Sequence, residues 1–181
     1  KTDNKVALVT GSGSGIGAAT ATLLSQNNMN VGINYSSNQE GANSTAQICE
    51  SNGVETLVVQ ADVANQSECD SMVEQIIEKW GRLDYLVNNA GISIFAGGTD
   101  LDTLTDKDFL SLYQVNLVGA FHMVKAARMH MKADRHAAIV NVSSISSVTG
   151  SGSSIAYAAS KGALNTMTKS LARMLAPEIR V

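Results

Sequence analysis

The sequence predicts an α/β fold, a doubly wound parallel sheet with helices on both faces, and three observations predict it. Short apolar runs alternate strictly with segments of helical periodicity along all 181 residues. Glycines stand where strands hand over to helices, with 15 Gly against 1 Pro. Apolar residues make up 44% and charged residues 16%, which suits a packed core and not a disordered chain. Strict alternation implies βαβ units, and right-handed crossovers leave few topologies besides the doubly wound sheet. The chain reads as one domain over residues 1–181, without linker or repeat.

The elements follow in order. Lys5–Thr10 is a short apolar run closed by Gly11, the pattern of a strand buried on both faces. From Gly15, Ile16, Ala19, Leu23 and Leu24 recur at helical spacing to about Asn27. Val31–Tyr35 is the second strand and Gln39–Ser51 the second helix; Thr56–Ala61 and Gln66–Trp80 repeat the pair. Leu83–Val87 is the fourth strand. Asp106–Val115 and Leu117–Lys132 are helical, with Asn116 between them; alone, that residue reads as a poor helix former tolerated by packing. Ala137–Val142 is the fifth strand, Ser153–Ala176 a long helix, and Ile179–Val181 a sixth strand beginning. Ligands in such sheets bind beyond the carboxyl ends of the strands, so the residues that follow each strand carry the functional question.

Composition removes several functions. Lys+Arg total 13 against 16 Asp+Glu, a net charge of −3, which lacks the basic stripe of a nucleic-acid binder. No apolar run reaches the ~18 residues of a membrane span. Cys49 and Cys69 make neither a disulfide framework nor a metal site, and a reduced, cytoplasmic setting fits them. His122, His130 and His136 show no ligand-like clustering, so no metal is expected. Met123, Met167 and Met174 lie on helical faces and read as core or interface fillers.

After the first strand stands Thr10-Gly11-Ser12-Gly13-Ser14-Gly15-Ile16-Gly17. The G-x-G-x-x-G fingerprint fails at Ile16, whereas T-G-x-x-x-G-x-G is satisfied. Glycine lets backbone approach a ligand, and the helix that follows aims N–H groups and a positive dipole end at an anion, so the turn reads as a phosphate site. After the second strand, Asn34-Tyr35-Ser36-Ser37 offers neither the acid that holds a ribose 2′-OH nor a base for a 2′-phosphate. Without a carboxylate to repel phosphate, and with Ser36 or Ser37 as donors, the reading favours NADP, with NAD as the alternative.

Asn141-Val142-Ser143-Ser144 closes the fifth strand, Tyr157 follows Ser144 by thirteen positions, and Lys161 is four further on. Positions i and i+4 share one helix face. An ammonium there favours the phenolate form, which makes the tyrosine a usable general acid or base. Ser144 offers a donor to a carbonyl oxygen that becomes negative. Each residue alone has an ordinary structural role; together, beside a phosphate turn, they fit hydride transfer at carbon with proton transfer at oxygen.

These residues, with Asp62-Val63, Asn88-Asn89-Ala90-Gly91 and the Asn116 segment, occur in the order and spacing of the short-chain dehydrogenase/reductase family, which the chain resembles over nearly its whole length. The 3-oxoacyl-carrier-protein reductases and the sugar or polyol dehydrogenases are the similar members. The resemblance implies a Rossmann-type domain in which Gly11, Ser12, Ser14, Gly15 and Ile16 line the pyrophosphate and ribose. It places Ser36 at the 2′-phosphate, Asp62 and Val63 beside the adenine, and Asn89, Ala90 and Gly91 along the cofactor's ribose region. It makes Tyr157 the general acid/base, Lys161 the holder of the nicotinamide ribose, Ser144 the orienter of the substrate oxygen, and Asn116 the holder of a water that links Lys161 to solvent. It also implies a homotetramer acting on a small alcohol or carbonyl compound.

The chain departs from the family where NADP-using members carry a basic residue at the Ser14 position. It also stops inside the sixth strand, where relatives continue through a Pro-Gly segment, a substrate lid and a seventh strand, so a longer natural protein is expected. Residues 92–98 and 146–154 border the substrate side; Phe95 and Val148 read as packing residues, with substrate contact as the alternative. Two other functions stay open: a catalytically silent dinucleotide-binding or sensing protein of the same fold, which the intact Ser144/Tyr157/Lys161 set disfavours, and a nucleotide-cofactor enzyme such as a methyltransferase, which leaves Tyr157 and Lys161 unexplained.

Overall fold

The structure, a computed structural model, describes residues 4–95, 101–131 and 136–181. Its parallel sheet contains β1 (Val6–Val9), β2 (Asn30–Tyr35), β3 (Thr56–Gln60), β4 (Tyr85–Asn88) and β5 (Ala138–Asn141), in the order β3-β2-β1-β4-β5. The order reverses at β1, which pairs β2 on one side and β4 on the other, so the crevice of a doubly wound sheet opens at the carboxyl ends of β1 and β4. Beyond β5, Arg180 forms a single parallel bridge to Ala138. The Ile139 N–H donates to the Arg180 carbonyl at 2.8 Å and the Arg180 N–H to the Ala137 carbonyl at 3.1 Å, so pairing begins at Arg180, where a sixth strand is expected to start.

All four residues of β1 are fully buried, which is why its sequence is an unbroken apolar run. Side chains alternate across the sheet. Val6 and Leu8 join Met72, Ile76, Leu86 and Met123 in one core, under α3 (Gln66–Trp80) and α5 (Ala120–Ala127). Val9, Val31 and Ile33 join Ala21, Ala42 and Ala46 in the other, under α1 (Gly15–Gln26) and α2 (Gln39–Ser51). Each fully buried Leu or Ile contributes about 1.5–3 kcal/mol. Cys49 lies in the second core and Cys69 in the first, both as free thiols. Desolvation lifts both thiols, that of Cys69 to about 12. Met123 fills the first core as expected, whereas Met174 is exposed.

Helix starts follow local chemistry. Asn65 caps α3 by accepting the Ser67 N–H, and Gly81 ends it in the left-handed region at φ 74°. Thr105 and Asp108 form a capping box on α4 (Asp106–Tyr113). Ser154 accepts the Tyr157 N–H at the start of α7 (Ile155–Leu175). A four-residue helix, α6 (Ser146–Thr149), stands where the Gly/Ser-rich sequence gave no helical signal.

The division expected at Asn116 does not exist. Residues Gln114–Gly119 form a π-helical stretch that joins α4 to α5 without interruption. The extra residue per turn is absorbed as a bulge rather than a stop. The helix runs to Ala127, and the expected end at Lys132 lies outside the described residues. Among the described residues, no helix is long and apolar enough to cross a membrane.

At the end of the sheet away from the crevice, the fully buried Asp84 carboxylate accepts the Val6 N–H at 2.8 Å and a two-pronged grip from Arg82, at 2.8 Å from Nε and 2.7 Å from Nη2. Asp84→Ala takes the side-chain acceptor from the Val6 amide and removes the Arg82–Asp84 ion pair. It should lower unfolding free energy by about 3 kcal/mol in urea denaturation; a change below about 1 kcal/mol would mean that water reaches both donors.

Candidate functional site

The glycine turn is built by asparagine side chains. Gly11 adopts φ 62°, and a Cβ there would stand 2.9 Å from the Ala90 Cα, so the strand-to-helix turn and the end of β4 meet backbone to backbone. Asn89 ties them: its amide nitrogen donates to the Thr10 and Gly11 carbonyls at 2.9 and 3.0 Å. Thr10 returns the tie, its hydroxyl accepting the N–H groups of Asn89 and Ala90 at 3.0 Å each. From the other side, Asn34 accepts the Gly11 N–H at 3.0 Å, and Asn38 donates to the Gly13 carbonyl at 3.0 Å. Ser14 stands at the N-cap of α1 without a side-chain cap bond. The dipole end of that helix is therefore presented bare to the crevice.

Three adjoining cavities occupy the crevice. One of about 370 Å³ is lined by Gly11, Gly13, Ser14, Gly15, Ile16 and the segment Tyr35–Asn38, with Asn89–Gly91. A second, about 220 Å³, takes in Asp62, Val63, Ser36 and Val115. A third, about 190 Å³, holds Tyr157 and Lys161 with Ile16, Ile92, Ser93 and Ser143. Gly91 lines all three, so they are lobes of one cleft. Asp62 is fixed by Glu68, whose carboxylate accepts the Asp62 N–H at 2.7 Å.

Lys161 is the electrostatic anomaly. It is 4% exposed, and no carboxylate pairs with it among the described residues. Its Nζ donates to the Val142 carbonyl at 2.8 Å and lies 5.9 Å from the Tyr157 ring centre. Desolvation lowers its pKa. Tyr157 is half-buried, and its phenol oxygen bonds to no described residue. Asn116, almost wholly buried, donates to the Ile92 carbonyl at 3.0 Å and to the Ser160 hydroxyl at 3.1 Å, while its oxygen accepts the Ile92 N–H at 2.8 Å. The Cβ position of Gly91 lies 3.1 Å from the Asn116 oxygen and 3.5 Å from Lys161 Nζ, so both groups crowd the same side of this glycine.

Most of the sequence-derived residues thus converge on the cleft, with two differences. Ser12 is fully buried; its hydroxyl donates to the Val9 carbonyl at 2.8 Å and its N–H to the Asn34 carbonyl at 2.8 Å. It builds the turn from inside rather than lining it. Ser144 is half-buried beside the third cavity, whose wall carries Ser143 instead, and its hydroxyl accepts the Ser146 hydroxyl at 2.8 Å and the Ser146 N–H at 3.2 Å. Phe95 and Val148, expected to pack, are 86% and 79% exposed. Sequence reasoning missed Asn34 and Asn38 as builders of the turn; the Asn38-x-x-Gly41 spacing of a helix N-cap was the available signal.

A family model described as short chain dehydrogenase matches residues 5–181. A 3-oxoacyl-acyl-carrier-protein reductase of Staphylococcus aureus is 34% identical over 172 residues, which make up 95% of this chain and 69% of the relative. Among solved structures, an NAD+-bound xylitol dehydrogenase is similar with a TM-score of 0.90 and 34% identity, covering 100% of this chain and 69% of the other. A short chain dehydrogenase from Burkholderia cenocepacia, in complex with NADP, gives a TM-score of 0.91 and 36% identity, covering 98% of this chain and 71% of the other.

Burial holds the Lys161 ammonium below the ordinary lysine value of 10.5. The unfolded chain therefore keeps a proton on this side chain over a window in which the folded one has lost it. Within that window stability rises with pH, since the unfolded state binds more protons. Below it, both states are charged and the penalty for burying the ammonium is constant. Lys161→Met removes the titration. The urea midpoint of the wild-type protein should gain on that of Lys161→Met as the pH climbs toward 10.5; a constant difference would show that both states hold the proton alike.

Proposed function

The chain belongs to the short-chain dehydrogenase family of oxidoreductases, and on that footing we propose that it uses NAD(P) to interconvert an alcohol and a carbonyl compound, with Tyr157 as general acid/base. The observation that carries this reading is Lys161, an ammonium buried without a counter-charge among the described residues and aimed by the Val142 carbonyl into the lobe that holds Tyr157. Burying an unpaired cation is unfavourable, and such groups cluster at functional sites.

The residues present fit a dinucleotide. The uncapped start of α1, above the largest lobe, suits a pyrophosphate. Asp62 and Val63 in the second lobe suit the adenine, and the third lobe suits the nicotinamide ribose, with Lys161 as its holder. When bound, the cofactor supplies the hydride acceptor or donor. Tyr157 takes the proton from the substrate hydroxyl in oxidation and returns it in reduction, and its phenol oxygen is uncommitted to any described neighbour. Lys161 stands beside it in the same lobe, its Nζ 5.9 Å from the Tyr157 ring centre. Ser144 orients the substrate oxygen, with its hydroxyl already held by Ser146. Asn116 fixes the Ile92 backbone beside Gly91 and shares with Lys161 the side of that glycine from which a water would connect Lys161 to solvent.

NADP is the favoured cofactor. The lining of the largest lobe includes no charged side chain, so no carboxylate repels a 2′-phosphate there, and Ser36 and Ser37 supply donors. One dinucleotide-binding domain acting as a homotetramer completes the proposal; Leu110, Phe121 and Met129 expose apolar surface along α4, α5 and the turn that follows, as a helix-mediated interface needs.

Tyr157→Phe should keep dinucleotide binding and lose at least ~10²-fold in turnover; unaltered turnover removes Tyr157 from the chemistry, and binding without any turnover in the wild-type protein favours a silent module. Fluorescence titration should show tighter binding of NADPH than of NADH. The reverse order would assign NAD.

A further inference from the structure

Asn38 does more than its position requires. It caps α2 by accepting the Gly41 N–H at 3.0 Å. Capping needs only an acceptor, and Ser, Thr or Asp supply one equally well; Thr105 and Ser154 cap α4 and α7 with hydroxyls. The donor half of the Asn38 amide is surplus to the cap, and it is spent on the Gly13 carbonyl at 3.0 Å. The two bonds fix which end of the amide is which. Gly41 makes the contact possible, since a Cβ there would collide with the Gly13 oxygen and the Asn38 amide nitrogen. A Cβ on Gly13 would meet the Asn38 carbonyl at 3.0 Å and the Ala42 nitrogen at 3.2 Å. The glycine turn and the first turn of α2 are therefore packed main chain on main chain.

The other ties of the turn all hold its near end: Asn34 takes the Gly11 N–H, and Asn89 takes the Thr10 and Gly11 carbonyls. At the far end, Gly15 adopts φ 54° with open space where its Cβ would be, and Ser14 makes no cap bond. Asn38 is the side chain that anchors this end. We propose that Asn38 is a positioning residue for dinucleotide binding, its amide setting the height of Gly13–Gly15, and so of the start of α1, above the cleft. The inference rests on the reading of the cleft as a dinucleotide site. It couples the phosphate turn to the segment Tyr35–Asn38, which lines the same lobe, so pyrophosphate and ribose are held by one clamped unit.

Two variants separate this role from capping. Asn38→Ser keeps a cap acceptor and is too short to reach the Gly13 carbonyl. Asn38→Asp keeps the cap and turns the donor into an oxygen. Both should leave the thermal midpoint within a few degrees of the wild-type protein. Both should raise Kd and KM for NADH and NADPH alike by about tenfold, the effect of one lost hydrogen bond, with kcat within about twofold. Unchanged affinity in Asn38→Ser overturns the proposal, as does a drop in thermal midpoint with no change in Kd. A loss confined to NADPH in Asn38→Asp and absent in Asn38→Ser also overturns it, because that pattern reports charge at the 2′ position alone. If the wild-type protein binds neither dinucleotide, the reading of the cleft fails first, and the two failures are distinguishable.

Discussion

The structure depends on a trade of hydrogen bonds at the first strand-to-helix turn. A glycine-rich turn is backbone without side chains to steady it, and its polar groups need partners from outside the turn. Here asparagine amides satisfy them: Asn34 and Asn89 at Gly11 and Thr10, Asn38 at Gly13. An asparagine side chain is a peptide group on a short stem, with one donor edge and one acceptor. It can stand in for a neighbouring strand at a place where no strand can go. With these groups bonded in this way, the uncapped start of α1 is the part of the turn that faces the cleft.

The cleft depends equally on a charge held out of water. Lys161 sits one helical turn from Tyr157, tethered to the Val142 carbonyl just past β5 rather than to an acid. A carboxylate partner would have made it an ordinary ion pair and would have competed for any ligand. A carbonyl tether fixes direction and leaves the charge available. Asn116 supports this arrangement from α4–α5 through the Ile92 backbone and Ser160, the residue just before Lys161. The π-helical stretch brings Asn116 into that position, so a local departure from α-helical spacing serves the site directly.

Much of this was legible in the sequence, and the exceptions have physical reasons. Strands buried on both faces, such as Val6–Val9, announce themselves as apolar runs, and α3 has the boundaries its periodicity predicted because Asn65 and Gly81 mark both ends. From sequence alone Asn116 is a poor helix former that packing tolerates, while its bonds to Ile92 and Ser160 are long-range and invisible to a local rule. Ser12 sits inside a motif whose glycines face a ligand, and nothing in the spacing says that this one side chain points the other way. Asn34 and Asn38 look like turn residues in sequence; only the fold brings them against Gly11 and Gly13. The four residues of α6 are too few, and too rich in serine, to leave a periodic signal.

The two thiols divide the molecule in a useful way. Cys49 belongs to the core beneath α1 and α2, Cys69 to the core beneath α3 and α5, and desolvation keeps both in the unreactive thiol form. Oxidants and alkylating agents can reach each sulfur only when its own layer lifts from the sheet. The protein thus carries one chemical clock per layer, and the labelling rate of each cysteine times the breathing of its side of the molecule.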